Sequence, residues 1–326
     1  MLDRWHKPLR VAACALVAGL AAMYAHAQQA AWPSRPITLV VPFPAGSASD
    51  LSTRVLGADL ATTLGQPVLV QNRPGGNSAI GAAAVATAAP DGYTLLVGSV
   101  GTVALPYLVK SLSFDPLKDL SPVAMVGRFV LQLYVNSELP VQNVAQLMEL
   151  AKKNPGKLNY ASGNVTSIAA TAQLLALAGN VDMAHVPYKG EPAAMVDLAT
   201  NRVQVMFSTP SSADSLVRSG KLRAIATALP QRSPSEPELP SINETYPNYS
   251  VTAWTAVMGP KGLPRHIIDR LSAAVNAALA RPETRDKLLA MRAVPANSTP
   301  DGFAAFVLEQ SELYGRVLRA AGVQPE

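Results

Sequence analysis

Two short runs of small hydroxyl-bearing residues hold the polar chemistry of this chain. The first, Gly46-Ser47-Ala48-Ser49-Asp50, follows the apolar stretch Ile37 to Val41; the second, Ser162-Gly163-Asn164 with Thr166 and Ser167, follows another apolar stretch. Each run stands directly before an apolar-periodic segment, so each reads as the start of a helix. Uncovered backbone N–H groups at a helix start attract anions without any Lys or Arg. The two runs together are predicted to clamp opposite sides of one carboxylate. Ordinary self-capping accounts for either run taken alone, since Ser47-x-x-Asp50 fits a capping box.

Catalytic constellations are missing from the sequence. Past the N-terminal leader only His185 and His266 remain, far apart in the chain, and His185 reads as a structural histidine at a strand end. No His-Glu-x-x-His occurs, and "VGSVG" around Ser99 lacks the first glycine of a nucleophile elbow. "NRPGGNSAIG" lacks the Gly-Lys-Ser/Thr ending of a phosphate loop. The one cysteine, Cys14, lies in the leader, which removes disulfides and cysteine metal sites from consideration. No catalytic residue, cofactor or metal is therefore expected.

The elements that position the two runs alternate along the chain. Strands are predicted at Ile37 to Val41, Val68 to Gln71 and Thr94 to Gly98, with helices from Ser49 and over Ser78 to Ala88. The pattern resumes with strands at Val130 to Val135, Lys157 to Ala161, Met183 to Val186 and Val203 to Phe207, separated by helices over Val144 to Lys153, Ile168 to Ala178 and Pro192 to Thr200. Such alternation predicts α/β architecture with two parallel sheets covered by helices. "SPVAMVGRFVLQLYV" and "YSVTAWTAVMGP" read as strands crossing between two domains, the second followed by helices over Pro264 to Leu279, Pro282 to Met291 and Asp301 to Ala321. The expected division is residues 28–130 plus 252–326 for the first domain and 131–251 for the second, with a ligand cleft between them.

Residues 1–27 read as a secretory signal peptide: Arg4, Lys7 and Arg10 precede the apolar run Val11 to Ala25, and cleavage is expected after Ala27. Without the leader the formal charge falls from +5 to +3, with no basic run, so nucleic acid is not an expected partner. The mature protein is expected to be periplasmic and monomeric.

Several segments in order resemble the Bug-type receptors, the periplasmic solute-binding proteins of tripartite tricarboxylate transporters: "WPSRPITLVVPFPAGSASD", "LGQPVLVQNRPGGNSAIGAAAVATAAPDGYTLLVGS", "NPGKLNYASGNVTS", "HVPYKGEPAAMVDL", "GKLRAIAT" and "WTAVMGPKGLP". The resemblance implies a type II periplasmic-binding-protein fold, a Venus flytrap, closing on a small organic acid. It implies delivery to a membrane permease with a large and a small subunit. Delivery to a two-component sensor ectodomain is the alternative use, and an enzyme acting on an organic acid the remotest. The ligand contacts it implies lie in the two loops: Phe43, Gly46, Ser47, Ala48, Ser49 and Asp50 in the first domain, and Ser162, Gly163, Asn164, Thr166 and Ser167 in the second. Ser99, Thr102 and Ser208 are further candidate contacts, and Arg128 and Tyr188, near predicted crossover and strand ends, are weaker candidates for the distal end of the ligand. The chain departs from the family pattern twice: Ser47 replaces a glycine, and Ser208, Thr209 and Pro210 stand where many members carry an Asp suited to an ammonium group. The second departure makes an amino acid ligand a weaker expectation than one without an amine.

Overall fold

The computed structural model describes residues 32–179, 181–188 and 191–325, so the leader lies outside the described residues. Two sheets form. The first contains β1 (Ile37–Val41), β2 (Val68–Asn72), β3 (Thr94–Ser99), β4 (Leu120–Phe129), β10 (Ala253–Pro260) and β11 (Ala293–Pro295), in the order β11-β4-β10-β3-β1-β2. The second contains β5 (Gln132–Asn136), β6 (Asn159–Ser162), β7 (Ala184–Pro187), β8 (Val205–Ser208) and β9 (Leu222–Thr227), in the order β7-β6-β8-β5-β9.

Both sheets are mixed, which corrects the expectation of purely parallel ones. β1 runs parallel to β2 and β3, and β6 parallel to β7 and β8, but β10 runs antiparallel to β3 and β4, and β5 antiparallel to β8 and β9. The reason is the direction of entry. A strand arriving from the other sheet enters at the edge where the parallel strands end, so it must run against them.

The first crossing is two residues long, because β4 stops at Phe129 and β5 starts at Gln132. Val130 N–H donates to the Arg292 carbonyl on the first sheet's side (3.0 Å), whereas the Leu131 carbonyl accepts from Ala228 N–H on the second sheet's side (2.8 Å). The return crossing behaves alike. Ser250 and Val251 N–H donate to Gln173 Oε1 (3.0 and 2.8 Å), while the Thr252 carbonyl accepts from Tyr314 Oη (3.4 Å). This crossing follows the Pro/Ser/Glu-rich stretch after β9, and its strand begins only at Ala253.

Helices α1 (Ala48–Leu64), α2 (Ala79–Ala86) and α3 (Val100–Ala104) follow β1, β2 and β3. In the second sheet's half, α4 (Val144–Lys153), α5 (Val165–Leu177), α6 (Glu191–Ala199) and α7 (Pro210–Arg218) follow β5, β6, β7 and β8. The C-terminal helices are α8 (Arg265–Ala280), α9 (Pro282–Ala290) and α10 (Pro300–Ala320). One face of the first sheet buries Ile37, Leu39 and Val41 against Leu56 and Leu60 of α1 and Leu271 and Val275 of α8. The other face joins a core that continues into the second half through α3, α5 and α10. No helix among the described residues is long and apolar enough to cross a membrane.

Candidate functional site

The sequence runs that drew attention sit where β1 and β6 end, on the two edges that the crossings join. At the first run, Gly46 takes a left-handed φ of +81°, which glycine adopts without the strain a Cβ would bring. Ser47 then caps α1, its hydroxyl accepting Asp50 N–H at 3.3 Å. Asp50 is buried and does not reach outward: one or other of its oxygens accepts from Gly46 N–H (2.8 Å), Asn72 Nδ2 (3.0 Å) and Arg54 Nε (3.2 Å). Burial pushes this carboxyl up, but the Gly46, Arg54 and Asn72 donors outweigh it and hold the carboxyl below the ordinary Asp value. Gly46 N–H and the Asp50 carboxylate, both expected as ligand contacts, are thus engaged with each other. Phe43 is half-buried against the core, and its carbonyl accepts from Asn72 Nδ2 (3.1 Å). What the loop leaves open are the N–H groups of Ala48 and Ser49, the first two residues of α1, which have no partner among the described residues.

The second run repeats this geometry from different letters. Asn164 caps α5, its Oδ1 accepting Ser167 N–H at 2.9 Å. Ser167 Oγ in turn accepts from Gly163 N–H (3.2 Å) and Asn164 N–H (3.3 Å). The Gly163 donor expected to hold a ligand is therefore already bound within the loop, and the open pair is Val165 and Thr166 N–H. Each helix start thus presents two adjacent free donors at its N1 and N2 positions. Short α3 packs against α5, and the Thr166 side chain lies beside Tyr314 of α10, so the second helix start meets elements of the first half directly.

Other predicted contacts separate into engaged and open groups. Thr102, fully buried, accepts Ser99 N–H at 3.2 Å with its hydroxyl. Ser99 Oγ is buried without a partner, as is Oγ1 of Thr255, its neighbour across β3 and β10. The two hydroxyls stand side by side on paired strands at the strand-end edge. Tyr188 is engaged: its hydroxyl donates to Asp197 at 2.8 Å, and burial with that carboxylate pushes the phenol up to about 12. Arg128 lies beside Trp254 in the sheet register at the first crossing, its guanidinium 5.6 Å from the Phe306 ring centre, and burial lowers its pKa.

Ser162 Oγ lies 2.6 Å from His185 Nε2, and His185 stacks on Tyr160 with ring centres 4.8 Å apart. Burial depresses the His185 pKa, favouring the neutral imidazole. No carboxylate among the described residues hydrogen-bonds the ring, so the pair lacks the orienting acid of a hydrolytic triad.

Ser208, fully buried, donates its hydroxyl to Glu191 Oε2 at 2.7 Å. Glu191 was missed in the sequence. It stands in "YKGEPAA", and the distant residues that meet it come from two other loops. Its carboxylate also accepts from Ser212 Oγ (2.8 Å) and Asn164 Nδ2 (2.8 Å). A carboxylate therefore stands beside the hydroxyls after β8, where the sequence reading expected a neutral lining.

A recess of about 500 Å³ lies elsewhere, between α1 and α9, lined by Arg54, Asp59, Arg281 and Lys287 among others. Arg281 pairs with Asp59 (2.6 Å) and Lys287 with Glu283 (2.6 Å), so its charges are largely satisfied from within.

Comparison with known proteins bears on this arrangement. A sequence profile described as "Tripartite tricarboxylate transporter family receptor" matches residues 52–323. Protein BugT of Bordetella pertussis is 36% identical over 301 residues, covering 90% of this chain and 91% of its own. Rpa4515 of R. palustris, solved with adipate, superposes with a TM-score of 0.75 at 32% identity, over 90% of this chain and all of its own. MatC from Rhodopseudomonas palustris, with bound malate, gives a TM-score of 0.70 at 32% identity, over 88% and 100%.

Proposed function

The chain belongs to the tripartite tricarboxylate transporter receptor family, and from that premise we propose that it captures a small organic acid between its two halves by hinge closure. The family consists of solute receptors, and this protein is not an enzyme. The observation that carries the ligand reading is the pair of helix starts, Ala48 with Ser49 and Val165 with Thr166, each offering two N–H groups unpartnered among the described residues, on the edges joined by the crossings. A carboxylate has about four acceptor positions and suits four such donors. The ligands printed for two relatives, adipate and malate, are carboxylates and support the same class.

The proposed halves are residues 28–130 plus 252–326 and 131–251. The switch of hydrogen-bond partners between Val130 and Leu131, and between Val251 and Thr252, supports these limits. The proposal includes export to the periplasm with cleavage after Ala27, and hand-over of the acid to a permease with a large and a small subunit.

Melting temperature against mono-, di- and tricarboxylates, aliphatic and aromatic, tests the reading. An acid at about 100 times its dissociation constant adds ~2.7 kcal/mol, a rise of roughly 4 °C for a chain of this size. Absence of a shift with every acid, in protein unfolded and refolded to strip any carried ligand, counts against it.

A further inference from the structure

We infer that Glu191 sets the distal specificity of the cleft: the ligand presents a hydrogen-bond donor, an ammonium above all, at the end away from its gripped carboxylate. This rests on the receptor reading and names its ligand more closely. Glu191 opens α6, and residues from the loop after β6, the end of β8 and the start of α7 converge on its carboxylate. Asn164 Nδ2 reaches Oε1 at 2.8 Å; Ser208 and Ser212 hydroxyls reach Oε2 at 2.7 and 2.8 Å, with Thr209 Oγ1 farther at 3.5 Å.

All of these donors are neutral. They orient the carboxylate and add no positive charge of their own, and among the described residues the three close ones leave one of about four acceptor positions unfilled, on Oε1. Ser208 is fully buried while Glu191 is only partly so, which leaves part of Glu191 accessible. The site also adjoins the proposed grip. Asn164, whose amide nitrogen holds Glu191, uses its amide oxygen to cap α5 beside the free Val165 and Thr166 N–H groups. A ligand held there by one carboxylate meets Glu191 with its next polar group. A second carboxylate at that point faces a like charge, and such juxtaposition is strongly disfavoured across a binding surface. An ammonium instead fills the open acceptor with a charge-assisted hydrogen bond.

Calorimetric titration with length-matched pairs tests this: 4-aminobutanoate against glutarate, and 5-aminopentanoate against adipate, on the wild-type protein and on Glu191→Gln. The wild type is expected to favour the amino acid of at least one pair by on the order of tenfold or more. Glu191→Gln, which keeps shape and removes charge, is expected to shrink or reverse that ratio. A wild-type preference for the dicarboxylate in both pairs, or a ratio unmoved by the substitution, overturns the inference while leaving carboxylate capture standing. The wild-type ratio decides the matter even where the variant fails to fold. Failure of these four and of every acid in the melting panel removes the receptor reading along with it.

Discussion

Asp50 shows how much of this site is scaffolding made from a single side chain. It sits in the first turn of α1, yet its oxygens reach back to Gly46 and across to Asn72, fixing the loop that leaves Ala48 and Ser49 N–H open. Because its native pKa lies below the unfolded value of 3.8, the ionised form stabilises the fold above that pH. The contribution fades as pH falls below 3.8 through the native pKa, where the native carboxyl also takes up its proton. Asp50→Asn is expected to lose about 2 kcal/mol at neutral pH and to flatten the acid side of the stability profile, measured by urea unfolding from pH 3 to 7. The sequence carried half of this residue's role. Ser47-x-x-Asp50 announced a helix start, but Asn72, on the neighbouring strand, only becomes a partner once β1 and β2 pair in register at Val41 and Asn72. Glu191 was hidden for the same reason, since its partners lie 17 to 27 positions away.

At the scale of elements, the helix starts were legible and their free donors were not. Small hydroxyl residues before an apolar period placed α1 and α5 within a few residues of where they begin. The Ser167 hydroxyl that occupies Gly163 N–H is a local side-chain bond that letter patterns do not resolve. The test therefore moves to N1. Proline there keeps the helix, because that N–H has no intrahelical partner and the ring's φ suits a first turn. The preceding residues, Ser47 at φ −67° and ψ 159° and Asn164 at φ −164° and ψ 171°, already hold the extended conformation that a following proline requires. Ala48→Pro and Val165→Pro are each expected to stay within about 1 kcal/mol of wild-type stability in denaturant unfolding without ligand. Sheet direction was the other illegible feature. Helix and strand periodicity do not encode the edge at which a crossing strand enters, and that edge makes β5 and β10 antiparallel.

For the whole molecule, the joint between the halves is ordered by contacts on both sides. Glu236, in the loop after β9, meets Arg292 at 2.8 Å from the first half, and Arg292 also supplies the carbonyl that holds Val130. Tyr314, fully buried in α10, bonds Thr252 of the return crossing and stands beside Thr166 at the start of α5. Tyr314→Phe removes that hydroxyl alone and is expected to cost about 1 kcal/mol in thermal unfolding. Ligand-driven closure predicts a smaller radius of gyration in solution scattering when a bound acid is present. The proposed grip has both helix starts holding the same carboxylate. Calorimetric titration of wild type, Ala48→Pro and Val165→Pro with the acid giving the largest melting shift tests that grip. Loss of one hydrogen bond to a charged group, on the order of tenfold to a hundredfold in affinity, is expected in each variant. Wild-type affinity in a folded Val165→Pro protein would show that the α5 start does not hold the carboxylate.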